Sequence, residues 1–141
     1  MKILEVLTKK RKTGNIGERF AEKLLKKSGY KILKRNYVAF NSEIDIIAEN
    51  KDTIAFVEVK ARTVSAINPR EPRPASAVTQ EKQRKIISAA KYYLGAKPCE
   101  KHVSLDIIEV YLNNDESLAD IIHIENAFNR NTAYERKAYK K

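Results

Sequence analysis

Two short alternating segments joined by a polar turn constrain the fold of this chain more than any other feature of its sequence. Residues 43–48 and 53–60 alternate between two faces with a period of two, which predicts β-strands. The tripeptide between them, Asn50-Lys51-Asp52, has the composition of a turn. The two segments therefore predict a β-hairpin, and its register determines which polar side chains face each other.

The polar residues of this hairpin form a small acidic and basic cluster. A symmetric loop about the centre of the turn places Asp45 directly across from Glu58, and Glu43 across from Lys60. Directly paired antiparallel residues have Cβ atoms about 4.5–5.5 Å apart. Two carboxylates at that distance repel each other unless a divalent cation lies between them.

This cluster suits metal-assisted hydrolysis of a phosphodiester. Mg²⁺ takes oxygen ligands and commonly uses only one or two protein carboxylates, together with water and phosphate oxygens. Lys60 projects from the same face as Glu58, where a lysine can orient or help deprotonate an attacking water. The alternative is structural, because Glu-x-Lys is common on exposed strands and Glu43 opposite Lys60 would make a simple ion pair. The spacing leaves both interpretations open.

A third carboxylate comes from the first predicted helix, over residues 15–27. Glu18 lies at the edge of the apolar arc of this helix, so a helix packed on the sheet could bring it toward Asp45 and Glu58. The alternative is that Glu18 is an ordinary boundary glutamate on a lysine-rich helix. The apolar arc itself contains Ile16, Phe20, Ala21, Leu24 and Leu25.

The remaining pattern completes a mixed α/β domain of order αβββαββ, with a central mixed sheet flanked by helices. Residues 62–76 interleave proline with arginine and predict a basic, non-helical loop. The other predicted elements are strands over 30–38, 103–112 and 118–124 and a helix over 78–94.

Length and charge favour one domain with a polyanionic partner. The chain has 141 residues and a formal net charge of +10, which attracts polyanions but also serves solubility alone. We predict a basic arm over 1–13, a folded domain over 14–128 and a flexible basic tail over 129–141. No apolar run approaches the roughly 18 residues of a membrane span, and the first residues do not resemble a secretory signal. We therefore expect a cytoplasmic protein that does not enter membranes.

Other chemistries find little support in the sequence. A single cysteine, Cys99, excludes an internal disulfide framework and has no evident activating base. His102 and His123 fall in predicted strands without a partner at ligand spacing, which argues against a zinc site. The glycines form no phosphate-binding loop.

Several basic and aromatic residues are placed where a nucleic acid could contact them. Arg62 follows the Glu-x-Lys segment, and Lys82 and Lys85 lie on one flank of the second helix. A solvated surface charge explains any one of them, whereas their clustering favours nucleic-acid binding. Tyr92, Tyr134 and Tyr139 are candidates for stacking on unpaired bases, although Tyr92 could instead flank the core.

An ordered series of motifs resembles the YraN-like family of small, uncharacterised bacterial proteins. The resemblance spans about residues 14–128. It departs at Ser42, where the family has glycine, and at Ser104-Leu105, where the family has Arg-Phe before Asp106. The motifs are Gly17-Glu18-x-x-Ala21, Gly29-Tyr30-x-Ile32-x-x-Arg35-Asn36-Tyr37, Glu43-Ile44-Asp45-Ile46-Ile47-Ala48, and Phe56-Val57-Glu58-Val59-Lys60-x-Arg62.

This family resembles Holliday-junction resolvases and the PD-(D/E)XK endonucleases. The resemblance implies a restriction-endonuclease-like core in which Asp45 and Glu58 bind Mg²⁺ or Mn²⁺ and Lys60 orients water. It also implies that Glu18 is a helical acid, that Lys82 contacts phosphate, and that the protein could form a homodimer. The resulting hypothesis is a Mg²⁺-dependent endonuclease that acts on DNA rather than RNA, with branched or recombination DNA as a candidate substrate. The alternative is a nucleic-acid-binding module that keeps the fold without turnover.

Overall fold

The protein is an α/β domain built on one five-stranded mixed sheet with helices on both faces. A computed structural model describes residues 3–64, 73–95 and 99–135, with only the backbone for residues 3–10. The predicted order αβββαββ is confirmed, with two short helices added. The elements are α1 (Ile3–Lys27), β1 (Lys31–Ala39), β2 (Ser42–Glu49), β3 (Thr53–Thr63), a 3-10 helix (Pro74–Ala77), α2 (Gln80–Leu94), β4 (His102–Leu112), β5 (Leu118–Ile124) and α3 (Arg130–Ala133).

The sheet has the strand order β1-β2-β3-β4-β5. Neighbouring strands are antiparallel except β3 and β4, which run parallel from the pair Thr53–His102 to the pair Thr63–Leu112. A parallel pair needs a long crossover, and here the crossover contains the 3-10 helix and α2. The crossover therefore places α2 on one face of the sheet, with its first turns next to Asp45 and Glu58 of the β2–β3 hairpin.

The predicted hairpin register is confirmed over the part of the ladder next to the turn. Ile46 pairs with Val57, and the pairing continues without a shift to Glu49 opposite Ile54. The side-chain oxygen of Asn50 accepts hydrogen bonds from two backbone amides of the turn at 3.0 and 2.7 Å. This is the local bonding by which Asn stabilises tight turns.

Each face of the sheet is covered by one long helix. Between α2 and the sheet, the core contains Ile86, Ile87, Ala89 and Ala90 of the helix and Ile47, Ile54 and Phe56 of the strands. Between α1 and the sheet, it contains Ala21 and Leu25 of the helix and Ile46, Ala55, Val57, Ile108 and Val110 of the strands. Because both faces are apolar, β2 and β3 are buried on both sides and hold the polar residues at their ends in fixed positions.

Helix α1 begins at Ile3, well before the start predicted near residue 15. The basic segment Lys9–Lys12 is therefore part of the helix backbone instead of a separate arm. Lysine and arginine are good helix formers, so the basic segment continues the helix toward its N-terminus. The ammonium group of Lys12 lies 2.9 Å from the carboxylate of Glu116 in the β4–β5 turn.

The chain after Asn129 is folded as far as residue 135, contrary to the expected flexible tail. Asn129 caps α3 through its side chain, which accepts a hydrogen bond from the amide of Thr132. The Arg84 Nε donates to the carbonyl of Ala133 at 2.8 Å, and Ala133 is fully buried. These contacts attach α3 to α2. The rest of the predicted tail, residues 136–141, lies outside the described residues.

The proline- and arginine-rich segment predicted as a loop over 62–76 is described only at its ends. Strand β3 extends through Thr63, and the 3-10 helix begins at Pro74. Residues 65–72 lie outside the described part of the chain. Across the described ranges, every helix is too short or too polar to cross a bilayer.

The β1–β2 turn has an unusual backbone. Ala39 pairs with Ser42, and the two residues between them, Phe40 and Asn41, have φ values of 53° and 57°. Positive φ at both central residues is typical of tight hairpin turns, where Asn and Gly are preferred. A bulky residue such as Phe costs about 1–2 kcal/mol in this region. Phe40 is nevertheless 63% exposed, so burial of its ring does not offset this strain.

Candidate functional site

Glu18 approaches the hairpin because α1 crosses β3 at unusually close range. A Cβ atom built on Gly17 would lie 2.5 Å from the Cβ of Ala61, which is closer than real side chains approach. Only glycine permits this crossing. Burial raises the pKa of Glu18, a hydrogen bond from Asn36 opposes the rise, and the charges of Glu43 and Glu58 add to it. The structure therefore brings Glu18 into the same electrostatic environment as the hairpin carboxylates.

Asp45 lies where the β2–β3 ladder ends. Its Oδ2 accepts a hydrogen bond from the amide of Val59 at 2.7 Å, so the side chain replaces a backbone partner at the point where the strands separate. The regular pairing stops at Ile46–Val57, one step before the predicted Asp45–Glu58 pair. Asp45 is thus held beside Glu58 by the main chain of β3.

The predicted opposition of Glu43 and Lys60 is wrong. The ladder ends before it reaches these residues, and the carboxylate of Glu43 instead accepts a hydrogen bond from Asn36 Nδ2 at 2.7 Å. Lys60 lies 3.4 Å from Glu58 on its own strand. The simple cross-strand ion pair that offered a structural explanation for this motif is therefore not formed.

Asp45 carries a strongly perturbed carboxyl group. Burial and the nearby charge of Glu58 raise its pKa to about 7, against the opposing effect of the Val59 amide. Glu18 and Glu43 raise it further. Carboxylates that cannot all ionise together are stabilised by a nearby cation.

Glu58 is the most buried of these acids, with 4% of its surface exposed. Its Oε1 lies 2.7 Å from the ammonium group of Lys82 and 3.4 Å from that of Lys60. Its Oε2 is buried and has no hydrogen-bond partner among the described residues. An unpaired buried carboxylate oxygen is costly, and this one lies beside a second carboxylate.

The two lysines on Glu58 are perturbed in opposite directions. Burial lowers the pKa of Lys60, and Lys82 lowers it further, although the charge of Glu58 acts the other way. Burial also acts to lower the pKa of Lys82, but its bonds to Glu58 and Lys60 outweigh burial and raise it. Lys82 therefore holds its proton more firmly than Lys60 does. Thr79 positions Lys82 by capping α2 and accepting the Lys82 amide at 3.3 Å.

An open cavity of about 400 Å³ joins the hairpin carboxylates to the first turns of α2. Two of its walls differ in charge, because the hairpin contributes acids and α2 contributes Lys82 and Lys85. The positive end of the α2 dipole adds to the basic wall. The lining residues are Asn41, Ser42, Glu43, Asp45, Glu58, Thr79, Glu81, Lys82 and Lys85.

Arg62 is not brought into this cavity. Its guanidinium group lies over the ring of Tyr111, 5.3 Å from the ring centroid, at the end of β3. Lys85 does line the cavity and pairs with Glu81 one turn earlier at 3.5 Å. Of the three predicted nucleic-acid contacts, Lys82 and Lys85 are therefore adjacent to the carboxylates, and Arg62 is not.

Glu109 belongs to this region although sequence reasoning missed it. It is fully buried on β4, directly beside Lys60 in the parallel register. It forms an ion pair with Arg73 and accepts the amide of Ala75 at 3.0 Å, which attaches the 3-10 helix to the sheet. Burial acts to raise the pKa of Glu109, but the bonds from Arg73 and Ala75 outweigh it and lower the pKa. The available signal was a carboxylate within the apolar stretch from Ile107 to Leu112 of β4.

Asn36 is the second residue that was missed as part of the site. It hydrogen-bonds to both Glu18 and Glu43 and so connects α1 to β2. Its φ of 52° lies in the left-handed region, which Asn tolerates better than most residues. An asparagine within a β-rich segment was the only sequence signal for this backbone irregularity.

The two histidines have partners away from the cavity. His123 Nε2 lies 2.7 Å from Oδ2 of the fully buried Asp106, and His102 Nε2 lies 2.9 Å from the side chain of Asn126. Asp106 also accepts from Ser104 and from the backbone amide of Asn126. This network connects β4, β5 and the following segment, so its role is structural.

Comparison with known proteins identifies the family. The model of the uncharacterised protein family UPF0102 matches residues 17–110. The chain belongs to this family. This confirms the family expected from the motifs, and the matched segment includes every cavity residue from Asn41 to Lys85 as well as Glu18 and Glu109.

Close relatives cover most of the chain. A UPF0102 protein of Clostridium acetobutylicum is 46% identical over 119 residues, which is 84% of this chain and 94% of the relative. One from Caldanaerobacter subterraneus subsp. tengcongensis is 41% identical over 121 residues, 84% of this chain and 96% of the relative. One from Caldicellulosiruptor saccharolyticus is 42% identical over 122 residues, which is 84% of this chain and 98% of the relative.

Two carboxylates of the cavity are the residues that could hold a divalent cation. In the part of the chain that the structure describes, no three or more His, Cys, Asp or Glu side chains are arranged to enclose a metal ion. Asp45 and Glu58 nevertheless provide two carboxylates, and Glu58 Oε2 has no hydrogen-bond partner within the described ranges. One or two protein carboxylates are what Mg²⁺ commonly uses when phosphate and water complete its shell.

Proposed function

We propose that this UPF0102 protein binds nucleic acid and hydrolyses phosphodiester bonds of DNA with Mg²⁺ or Mn²⁺ as cofactor. The observation that carries the proposal is the environment of Glu58. One of its oxygens is paired with two lysines, while the other is buried beside Asp45 and has no partner in the part of the chain that the structure describes. A buried acid with one oxygen left for a ligand, between an acidic and a basic wall, suits a cation and a phosphate together.

Asp45 and Glu58 would hold the cation. When bound, it would neutralise phosphate charge and make water more acidic. Lys82 has a raised pKa, remains protonated and offsets the negative charge of a phosphate in the cavity. Of the two lysines that contact Glu58, Lys82 is therefore the one suited to stabilising negative charge on the phosphate.

Lys60 is suited to proton transfer because its pKa is lowered by burial and by Lys82. Its amine would orient the attacking water and accept a proton from it as the water oxygen bonds to phosphorus and the P–O ester bond breaks. Solvent would protonate the departing oxygen. Glu18, whose pKa is raised, is a positioning residue that adds negative charge next to Asp45.

A second function is favoured by one specific observation. Both lysines already contact the same Glu58 oxygen, an arrangement that neutralises the buried acid without any cation. A nucleic-acid-binding module that does not cleave would have this property. It predicts salt-dependent binding of DNA that needs no metal. DNA is the expected ligand in either case, with the cytoplasm as the expected compartment and a second copy of the chain as a further expected partner.

The test is cleavage of junction, flap and linear DNA with Mg²⁺ or Mn²⁺. Asp45→Asn and Glu58→Gln should each lower the rate by about 100-fold or more, because each removes a charged ligand from the site. Glu81→Gln is the matched control, since Glu81 lines the same cavity but is exposed and forms an ion pair with Lys85 at the surface. If both site variants cleave as the parent does, the nuclease proposal is wrong. Tight binding without product under any metal supports the module.

A further inference from the structure

Two exposed aromatic rings meet beside the β1–β2 turn, whose residue Asn41 lines the cavity. Phe40 in the β1–β2 turn is 63% exposed and Tyr92 on α2 is 65% exposed. Their centroids are 5.3 Å apart and the rings are nearly perpendicular, at 89°. An edge-to-face pair of this kind leaves the face of one ring open to solvent. Exposed aromatic surface of this kind is typical of binding sites.

Both rings are directly connected to residues that line the cavity. Asn41, which follows Phe40, is part of the cavity wall. Lys85 is also part of that wall and lies two helical turns before Tyr92, so the two side chains share one face of α2 about 10 Å apart along the axis. A path therefore leads from the carboxylates past Lys82 and Lys85 to the aromatic pair.

The turn backbone presents Phe40 outward. Its φ of 53° is a conformation that a bulky side chain rarely adopts, and the ring gains little burial there. Val38, near the end of β1, is a further exposed apolar residue, at 66%. The pair of rings formed by Phe40 and Tyr92 is called the aromatic rim.

We propose that the aromatic rim stacks an unpaired base of a nucleic-acid strand whose phosphates lie along Lys82 and Lys85. The inference rests on the nucleic-acid binding in the proposed function, but not on cleavage. The lysines on the same helix and the net charge of +10 favour a polyanionic strand over a protein partner. Bases inside a duplex are covered by their neighbours, so the rim selects DNA that contains single-stranded segments.

The test measures binding of the full chain to fluorescein-labelled DNA in EDTA, where no cleavage interferes. The DNAs are a single strand, a blunt duplex and a duplex with a single-stranded flap. Phe40→Ala and Tyr92→Ala should each weaken binding of the single strand and the flap about tenfold, and change binding of the blunt duplex less than about twofold. Phe40→Tyr and Tyr92→Phe keep an aromatic ring and should restore binding.

Leu118→Ala is the control, because Leu118 is an exposed apolar residue on β5, at the opposite edge of the sheet. It should change no affinity. Equal losses of affinity for all three DNAs would overturn the stacking role. No loss of affinity in either aromatic variant would also overturn it, and would favour a protein partner for the aromatic rim. A parent protein that binds no DNA would overturn both proposals. Rim-dependent binding without cleavage in Mn²⁺ would support the rim and contradict only the nuclease.

Discussion

Gly17 and Ala61 are in contact across the α1–β3 interface with no room for a side chain on the helix. A Cβ atom at position 17 would lie 2.5 Å from the Cβ of Ala61 and 3.7 Å from Cγ1 of Val59. Because the neighbouring residue is Glu18, the same contact determines how near this carboxylate comes to Asp45. The packing of the domain and the geometry of the site therefore depend on one missing methyl group.

Replacing Gly17 by alanine should push α1 away from β3. Alanine normally stabilises a helix by about 1 kcal/mol relative to glycine. Here the clash with Ala61 should reverse the sign and cost about 1–3 kcal/mol, the range for overpacked cores. Urea unfolding measures the change. Gly14→Ala on the same helix is the control, since nothing lies within 4 Å of a Cβ there, and it should stabilise. Equal gains in both variants would contradict the close contact.

Asp45→Asn should stabilise the protein at alkaline pH in the absence of divalent cations. The pKa of Asp45 is raised from 3.8 to about 7, so the folded state binds this proton more tightly than the unfolded state does. Ionisation of Asp45 therefore lowers the free energy of unfolding. This loss is absent below the pKa of the unfolded state, grows between the two pKa values and is complete above the pKa of the folded state. We expect a gain of at least about 1 kcal/mol at pH 8 and none at pH 3.5.

Urea titrations at several pH values in EDTA measure this difference. Asn keeps the carbonyl oxygen that accepts the Val59 amide, so the comparison isolates the charge. Mn²⁺ should stabilise the parent and not the variant. A parent whose stability does not fall relative to Asp45→Asn as the pH rises would contradict the raised pKa.

Lys82→Ala should destabilise the protein more than Lys85→Ala. Lys82 lies 2.7 Å from the buried Glu58, and its loss leaves that carboxylate with Lys60 at 3.4 Å. A cost of about 1–2 kcal/mol is expected for weakening a buried charged pair that keeps a second partner. Lys85 pairs with the exposed Glu81, and surface pairs of that kind contribute about 0.5 kcal/mol or less. Thermal or urea unfolding compares the two, and similar losses would argue against the burial of the Glu58 pair.

Glu109→Gln should loosen the 3-10 helix. Glu109 is fully buried and holds Arg73 and the amide of Ala75. Removing the charge should cost about 1–3 kcal/mol near pH 7. The pKa of Glu109 is lower in the folded state than its ordinary value of 4.5. Its charge therefore contributes to the free energy of unfolding above pH 4.5, and this contribution is lost as the pH falls through the pKa of the folded state. The difference between parent and variant in urea unfolding should therefore shrink in acid, and a constant difference would exclude the ion pair as its cause.

The β2–β3 hairpin could be predicted because its determinants are local. Alternation of side chains and the Asn50 turn were sufficient for the register from Ile46–Val57 to Glu49–Ile54. The end of the ladder was not predictable, because it depends on the Asp45 side chain bonding to the β3 main chain. The sequence pattern therefore predicted that Asp45 and Glu58 lie near each other, but the ladder ends before it reaches the predicted direct pair, and Glu43 was placed wrongly.

Residues joined over long stretches of chain escaped prediction. Arg73 meets Glu109 only after the crossover and the parallel pairing of β4 are in place. Phe40 meets Tyr92 through the packing of α2 above the β1–β2 turn, and no periodicity indicates that contact. Arg62 adjoins the site residues in sequence, yet it lies over Tyr111 because a strand carries successive same-face residues away from the cavity.

The parallel register of β3 and β4 also has a consequence for the order in which the protein folds. The carboxylates of the hairpin come together by closing a short turn, whereas Lys82 and Glu109 join them only after the chain between Thr63 and His102 has closed a large loop. Large loops close slowly because their entropy must be lost before native contacts compensate. Asp45 and Glu58 should therefore come close together early in folding, and they repel each other more strongly before Lys82 pairs with Glu58. The ion pair between Lys82 and Glu58 should therefore be among the last contacts of the site to form.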